Sequence, residues 1–149
     1  MFENEDKFPK SEEYVCPPKE AKDAHGMTLY KFNNSKKIPS KYLEPMISKG
    51  SNNPKNNKER CLMCGHSVFL NYDFVKVLAS NNRVSKGILK KWKYVYKIIG
   101  ASNSKLLETP TKKFKNHHTY WHFGNRIEDN EYEFVCDVYS IIDDKQMEG

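Results

Sequence analysis

The sequence predicts a small α+β domain, built on a mostly antiparallel sheet with two or three packed helices. Three observations predict it. Two stretches, 27–32 and 115–123, alternate apolar or aromatic with polar residues, as half-buried strands do. Between them, residues 84–100 carry apolar side chains at helical spacing. The order is strand, helices, then strands, rather than the regular strand–helix alternation of a parallel sheet. With 149 residues the chain is long enough for one domain with a real core, and 13% aromatic content argues against a disordered chain.

In chain order, residues 1–26 read as an irregular acidic arm, since Cys16-Pro17-Pro18 favours extended backbone. His25-Gly26 ends the arm and Met27-Thr28-Leu29-Tyr30-Lys31-Phe32 forms the first strand. A short helical turn is expected around Tyr42–Ile47, and the Asn-rich run 50–58 reads as a solvated loop. Ser67–Leu70 is a strand or a helix entry, and Asn71 or Asp73 caps a helix through Val75, Val77 and Leu78 that ends at Asn81-Asn82. The helix over 84–100 buries Ile88, Trp92, Val95 and Ile99, with Gly100 as its stop. A loop follows at 101–111. On the strand 115–123, His118, Tyr120 and His122 point one way and His117, Thr119 and Trp121 the other. The last strand runs from Glu131 to Ile142 with Tyr132, Phe134, Cys136 and Val138 on one face, leaving 143–149 as an acidic tail. The globular domain is thus 27–142.

Charge is unevenly placed. Residues 1–24 hold four basic and seven acidic side chains, 25–118 nineteen and four, and 119–149 two and eight. A basic centre between acidic ends points to an anionic partner, DNA, RNA or an acidic protein, unless the ends fold back and neutralise it. Lys86, Lys90, Lys93 and Lys97 would form a cationic stripe on the helix 84–100, tracking phosphates without reading sequence. No run of about 18 apolar residues exists, which excludes a spanning helix, and the acidic start does not resemble a signal peptide. The expected location is therefore cytoplasmic, where disulfides do not persist.

Cys61-Leu62-Met63-Cys64-Gly65-His66 has the spacing of half a metal knuckle. Structural zinc takes four thiolate or imidazole ligands, so a second pair is required. His118 and His122, sharing a strand face, are the first choice, with His66, His117, Cys136, Cys16 and His25 in reserve. The alternative is a reduced pair in a turn, with a sulfur buried as a small hydrophobe. A thioredoxin-like role is set aside, because no parallel-sheet pattern surrounds the pair. Cys136 reads as a core residue. His117–His122 is rich in imidazoles and rings, and there Tyr120 and Trp121 are suited to stacking on a base or nicotinamide.

Three segments, Leu29-Tyr30-Lys31-Phe32, Cys61–Phe69 and His118-Thr119-Tyr120-Trp121, resemble a group of small bacterial proteins with a Tyr-Arg-Phe strand. That group also carries Cys-x-x-Cys-Gly-Leu-Ser-Val-Phe and His-x-Thr-Trp-Trp segments, and is similar in turn to the ADP-ribosyltransferase superfamily. The resemblance implies a bacterial or phage-borne protein and a nicotinamide dinucleotide (NAD) pocket. In that pocket Lys31 stands at the arginine position and Ser67 at the serine position, with Tyr120 and His118 beside them. Glu131 and Glu133 are candidates for the catalytic acid by location alone. Two expectations stand side by side: a zinc-stabilised basic binding module, and an ADP-ribosyltransferase-like enzyme or pseudo-enzyme.

Overall fold

The computed structural model describes residues 1–50, 53–75 and 91–141. Its strands are β1 (Lys22–Asp23), β2 (Thr28–Asn33), β3 (His66–Val68), β4 (Tyr94–Ile99), β5 (Lys105–Glu108), β6 (His118–Trp121) and β7 (Glu133–Asp137). Helices α1 (Pro39–Tyr42) and α2 (Asn57–Met63) precede β3, and short 3-10 turns occur at Glu5–Lys7, Met46–Lys49 and Asp129–Glu131. The strands make two antiparallel sheets, ordered β1-β5-β6-β3 and β2-β4-β7. The α+β class expected from the sequence is what the chain adopts.

Alternation dictates how the sheets stack. Along β2, Leu29, Lys31 and Asn33 are buried while the residues between them are not, so these three face the other sheet. On the four-stranded sheet, His66, Tyr120 and Leu106 lie in register and share a face. Leu29, Tyr96, Ile98, Leu106, Val68 and Tyr120 then form the core between the sheets. At one corner the sheets are stitched together: Tyr30 and Phe69 exchange backbone N–H···O bonds of 2.8 and 2.9 Å. Two smaller clusters cover the outer faces. Val75, Val95, Val138 and Ile141 back the three-stranded sheet, and Phe8, Cys61, Cys64 and Trp121 back the four-stranded one.

Several elements differ from expectation. Tyr94–Ile99 is strand β4, paired to both β2 and β7, and not the second half of a helix. Tyr-Val-Tyr-Lys-Ile-Ile is β-branched and aromatic, and with Tyr96 and Ile98 inward and Val95 outward both faces gain partners. The start of the expected helix 84–100 falls outside the described residues, as do the expected tail and most of the helix expected to end at Asn81-Asn82. Lys105–Glu108, expected as loop, is β5 in the middle of its sheet. The Asn-rich run ends in α2, whose first turn is capped where Asn56 Oδ1 accepts from the Glu59 N–H at 2.8 Å. The last strand stops at Asp137 and the chain turns helical over 138–141, so Val138 leaves the strand face. The N-terminal arm is irregular along most of its length but folds back. Phe8 is buried against Trp121, Glu3 N–H donates to His122 O, and β1 extends the sheet.

Candidate functional site

Beside the stitched corner a cleft of about 730 Å³ lies over the outer face of the four-stranded sheet. Gly65, Ser67 and Phe69 alternate along its floor from β3, with Thr119 beside them from β6 and Leu107 from β5. Ser67 is exposed to it. Thr109 Oγ1, near Thr119 Oγ1 at 2.8 Å and His117 Nδ1 at 2.9 Å, carries a polar line along that floor. Tyr14, Tyr42, Met46 and Met63 supply apolar walls, and Lys49 and Lys58 stand exposed at the rim. Beyond Ser67 the cleft continues into an aromatic cluster in which Trp92 lies between Phe32 and Phe114, each 4.7 Å away by ring centroid.

Lys31 lines the same cleft although it is only 5% exposed. Its Nζ donates to Leu43 O at 2.6 Å and lies 2.8 Å from His66 Nδ1. His66, 1% exposed, places Nε2 2.7 Å from Glu3 Oε1. The partners fix the imidazole: Nε2–H donates to the carboxylate, leaving Nδ1 to accept from the amine. Burial pushes the Lys31 pKa down to about 7, against the opposing attraction of Glu3. Burial and the neighbouring Lys31 charge push His66 down to about 4, so the ring is neutral near pH 7. For Glu3 burial acts upward, but the His66 hydrogen bond and nearby positive groups win and the pKa falls below the ordinary value.

The expected residues separate into two groups. Lys31 and Ser67, from different sheets, reach one cleft. His118 and Tyr120 do not join them, because alternation turns both to the inner face. Tyr120 is fully buried, its hydroxyl donating to Ser104 Oγ and accepting from Ala101 N–H, both at 3.0 Å, so its ring offers no stacking surface. Trp121 is equally buried, its Nε1–H donating to Cys61 O at 2.9 Å. Glu131 and Glu133 are not among the residues lining the cleft, and Glu133 Oε2 pairs with Lys97 Nζ at 3.3 Å.

The four expected zinc ligands lie on opposite sides of one sheet. Cys61 and Cys64 pack with Trp121 on the outer face, whereas His118 and His122 belong to the inner one. Cys61 is also joined to Cys16 by a disulfide, contrary to the expectation of free thiols. The chain folds the arm back over α2, bringing the two Cα atoms within 5.8 Å, a contact that sequence spacing does not reveal. Cys64 is a buried thiol whose pKa burial raises to about 11, and its Sγ contacts Lys7 O at 3.5 Å. Among the described residues no group of three or more His, Cys, Asp or Glu side chains is placed to hold a metal ion.

The lysine stripe also changes form. Lys86 and Lys90 lie outside the described residues. Lys97 lies on β4 and Lys93 just precedes it, and along a strand four residues span about 13 Å rather than the 6 Å of a helix. Sequence reasoning missed Tyr42, Thr119 and Glu3. Thr119 was legible, being two residues from His117 on one strand face, but nothing in the sequence joins Glu3 to His66. Comparison with protein-family models, curated proteins and solved structures finds no match.

Proposed function

We propose that this protein binds a nucleotide, a phosphate-bearing ligand with a planar ring, in the cleft between Ser67 and Tyr42. The observation that carries the reading is that Lys31 and Ser67, from two separate sheets, both line one cleft. Lys49 and Lys58 supply cationic contacts for phosphate, and Tyr42, 43% exposed, supplies an aromatic ring. NAD is the member of this class that the resemblance to ADP-ribosyltransferases names. Reading the chain as a pocket protein needs no zinc and no lysine-striped helix.

Titration calorimetry at low and moderate salt with NAD, with ATP and with a short single-stranded oligonucleotide tests this. Saturable binding of a mononucleotide or dinucleotide, weakened about tenfold or more by Lys49→Glu with Lys58→Glu, is the expected result. A second reading, binding of single-stranded nucleic acid, draws on Lys112 and Lys113 beside Phe114 at the open end of the cleft. It predicts affinity for the oligonucleotide alone, falling steeply with salt. Absence of binding by all three ligands at low salt would remove both readings. The Cys16–Cys61 disulfide favours an oxidising compartment over the cytoplasm that composition suggests. No helix among the described residues is long and apolar enough to cross a membrane.

A further inference from the structure

We propose that Lys31 is a covalent site, whose amine adds to the carbonyl carbon of an aldehyde or ketone entering the cleft, with His66 and Glu3 as the residues that position and relay. The inference goes beyond the nucleotide reading and does not need it. Its basis is geometric. A nucleophile, a base within hydrogen-bond reach of it, and a third group orienting that base form the recurrent pattern of covalent catalysis. Here the distances are 2.8 Å from Lys31 Nζ to His66 Nδ1 and 2.7 Å from His66 Nε2 to Glu3 Oε1. All three side chains are removed from bulk water, and the lysine lines the cleft.

The hydrogen count fixes where reactivity lies. A neutral amine has two hydrogens and one lone pair. With one hydrogen on Leu43 O and the other on His66 Nδ1, the lone pair takes a remaining tetrahedral direction. Burial supplies the neutral form, since it lowers the lysine pKa to about 7. The charged and titratable groups acting on that amine are Glu3 from the N-terminal arm, His66 from β3 and Lys49 from the turn after α1.

In the reaction the nitrogen lone pair forms the C–N bond and the carbonyl π pair moves to oxygen. One proton of the resulting ammonium passes to His66 Nδ1 and on to the alkoxide, giving a carbinolamine. The second nitrogen proton leaves through the same imidazole to the hydroxyl, which departs as water as the C=N bond closes. The net change is amine plus carbonyl to imine plus water, with no oxidant or further reactant. Glu3, on the far side of the ring, stabilises the transient imidazolium as the carboxylate of a hydrolase triad does.

The test uses the intact chain and pyridoxal 5′-phosphate, an anionic, ring-bearing aldehyde, followed by borohydride reduction and peptide mapping. At pH 7.5 the reduced adduct should form at Lys31 at least about tenfold faster than at any exposed lysine, because lysines of ordinary pKa are almost wholly protonated there. The rate at Lys31 should rise with pH through a midpoint near 7. Glu3→Gln should slow it about tenfold or more while leaving the circular dichroism spectrum unchanged. Adducts spread over exposed lysines with Lys31 unmodified would overturn the proposal, and the wild-type map decides this even if a variant fails to fold. A Glu3→Gln rate equal to that of the wild type would overturn the relay. Nucleotide binding read by calorimetry is a separate measurement, so the two readings fail separately.

Discussion

At Gly65 one added carbon would lie 2.5 Å from Thr119 Cγ2 and 3.1 Å from Tyr120 O, because β6 passes directly over the turn that ends α2. That close approach is why glycine follows the cysteine pair. Gly65→Ala should therefore lower stability by about 1–3 kcal/mol in urea denaturation, while Ser67→Ala two residues on should change it by less than about 0.5 kcal/mol. The buried network has its own signature in pH. His66 titrates near 4 in the fold against 6.5 when unfolded, so the unfolded chain takes up the proton first as pH falls. The stability that His66 contributes is complete above pH 6.5 and is lost progressively toward pH 4, to the extent of about 3 kcal/mol. Lys31 acts in the same direction at higher pH, its folded pKa being lowered, so its contribution grows between about 7 and 10.5. The expected observation is a His66 ring resonance with no titration above pH 5 and a urea midpoint that falls from pH 6.5 to pH 4. A ring titrating near 6.5 would mean that the Lys31–His66–Glu3 contact does not hold.

Among the elements, β2 and β6 were legible because alternation on a half-buried strand writes itself into sequence. By contrast, β4 was not, since Trp92, Val95 and Ile99 satisfy helical spacing as well as their neighbours satisfy alternation. Its two flanking strands decide the matter, and they lie more than sixty residues before and over thirty after it in the chain. Lys105–Glu108 is short and charged at both ends, so only its pairing to β1 and β6 makes it a strand. The cysteine spacing suggested a two-residue motif acting as a unit, whereas the fold divides it: Cys61 fastens the arm and Cys64 fills the core beneath it. A crosslink closing 45 residues constrains the unfolded chain by an amount worth about 4 kcal/mol in the chain-entropy account. Cys16→Ser should therefore cost about 2–4 kcal/mol and make the segment 10–21 a site of limited proteolysis in the otherwise folded protein. Unchanged protease resistance would show that Phe8 and β1 hold the arm unaided.

Over the whole molecule, the acidic N-terminus was legible as charge but not as a partner of the site, because Glu3 reaches His66 only once the arm has folded back across the sheet. The same return explains why a chain with so basic a centre buries an acid beside Lys31, the one deeply buried lysine among the described residues. The two sheets hold Lys31 and Ser67 together through the Tyr30–Phe69 stitch, so the cleft is a property of how the sheets meet and not of any single motif. Lys31 and Ser67, grouped from the sequence, line one cleft, whereas Tyr120 and His118 are buried away from it, since strand alternation is legible in a sequence but the direction of the core is not. A backbone amide NMR titration with NAD or ATP reads occupancy of the cleft directly. Saturable shifts are expected at Gly65, Ser67, Thr119 and Tyr42, with Glu133–Asp137 on the far sheet unmoved. Shifts confined to β7 and its surroundings, or no shifts at millimolar nucleotide, would contradict it.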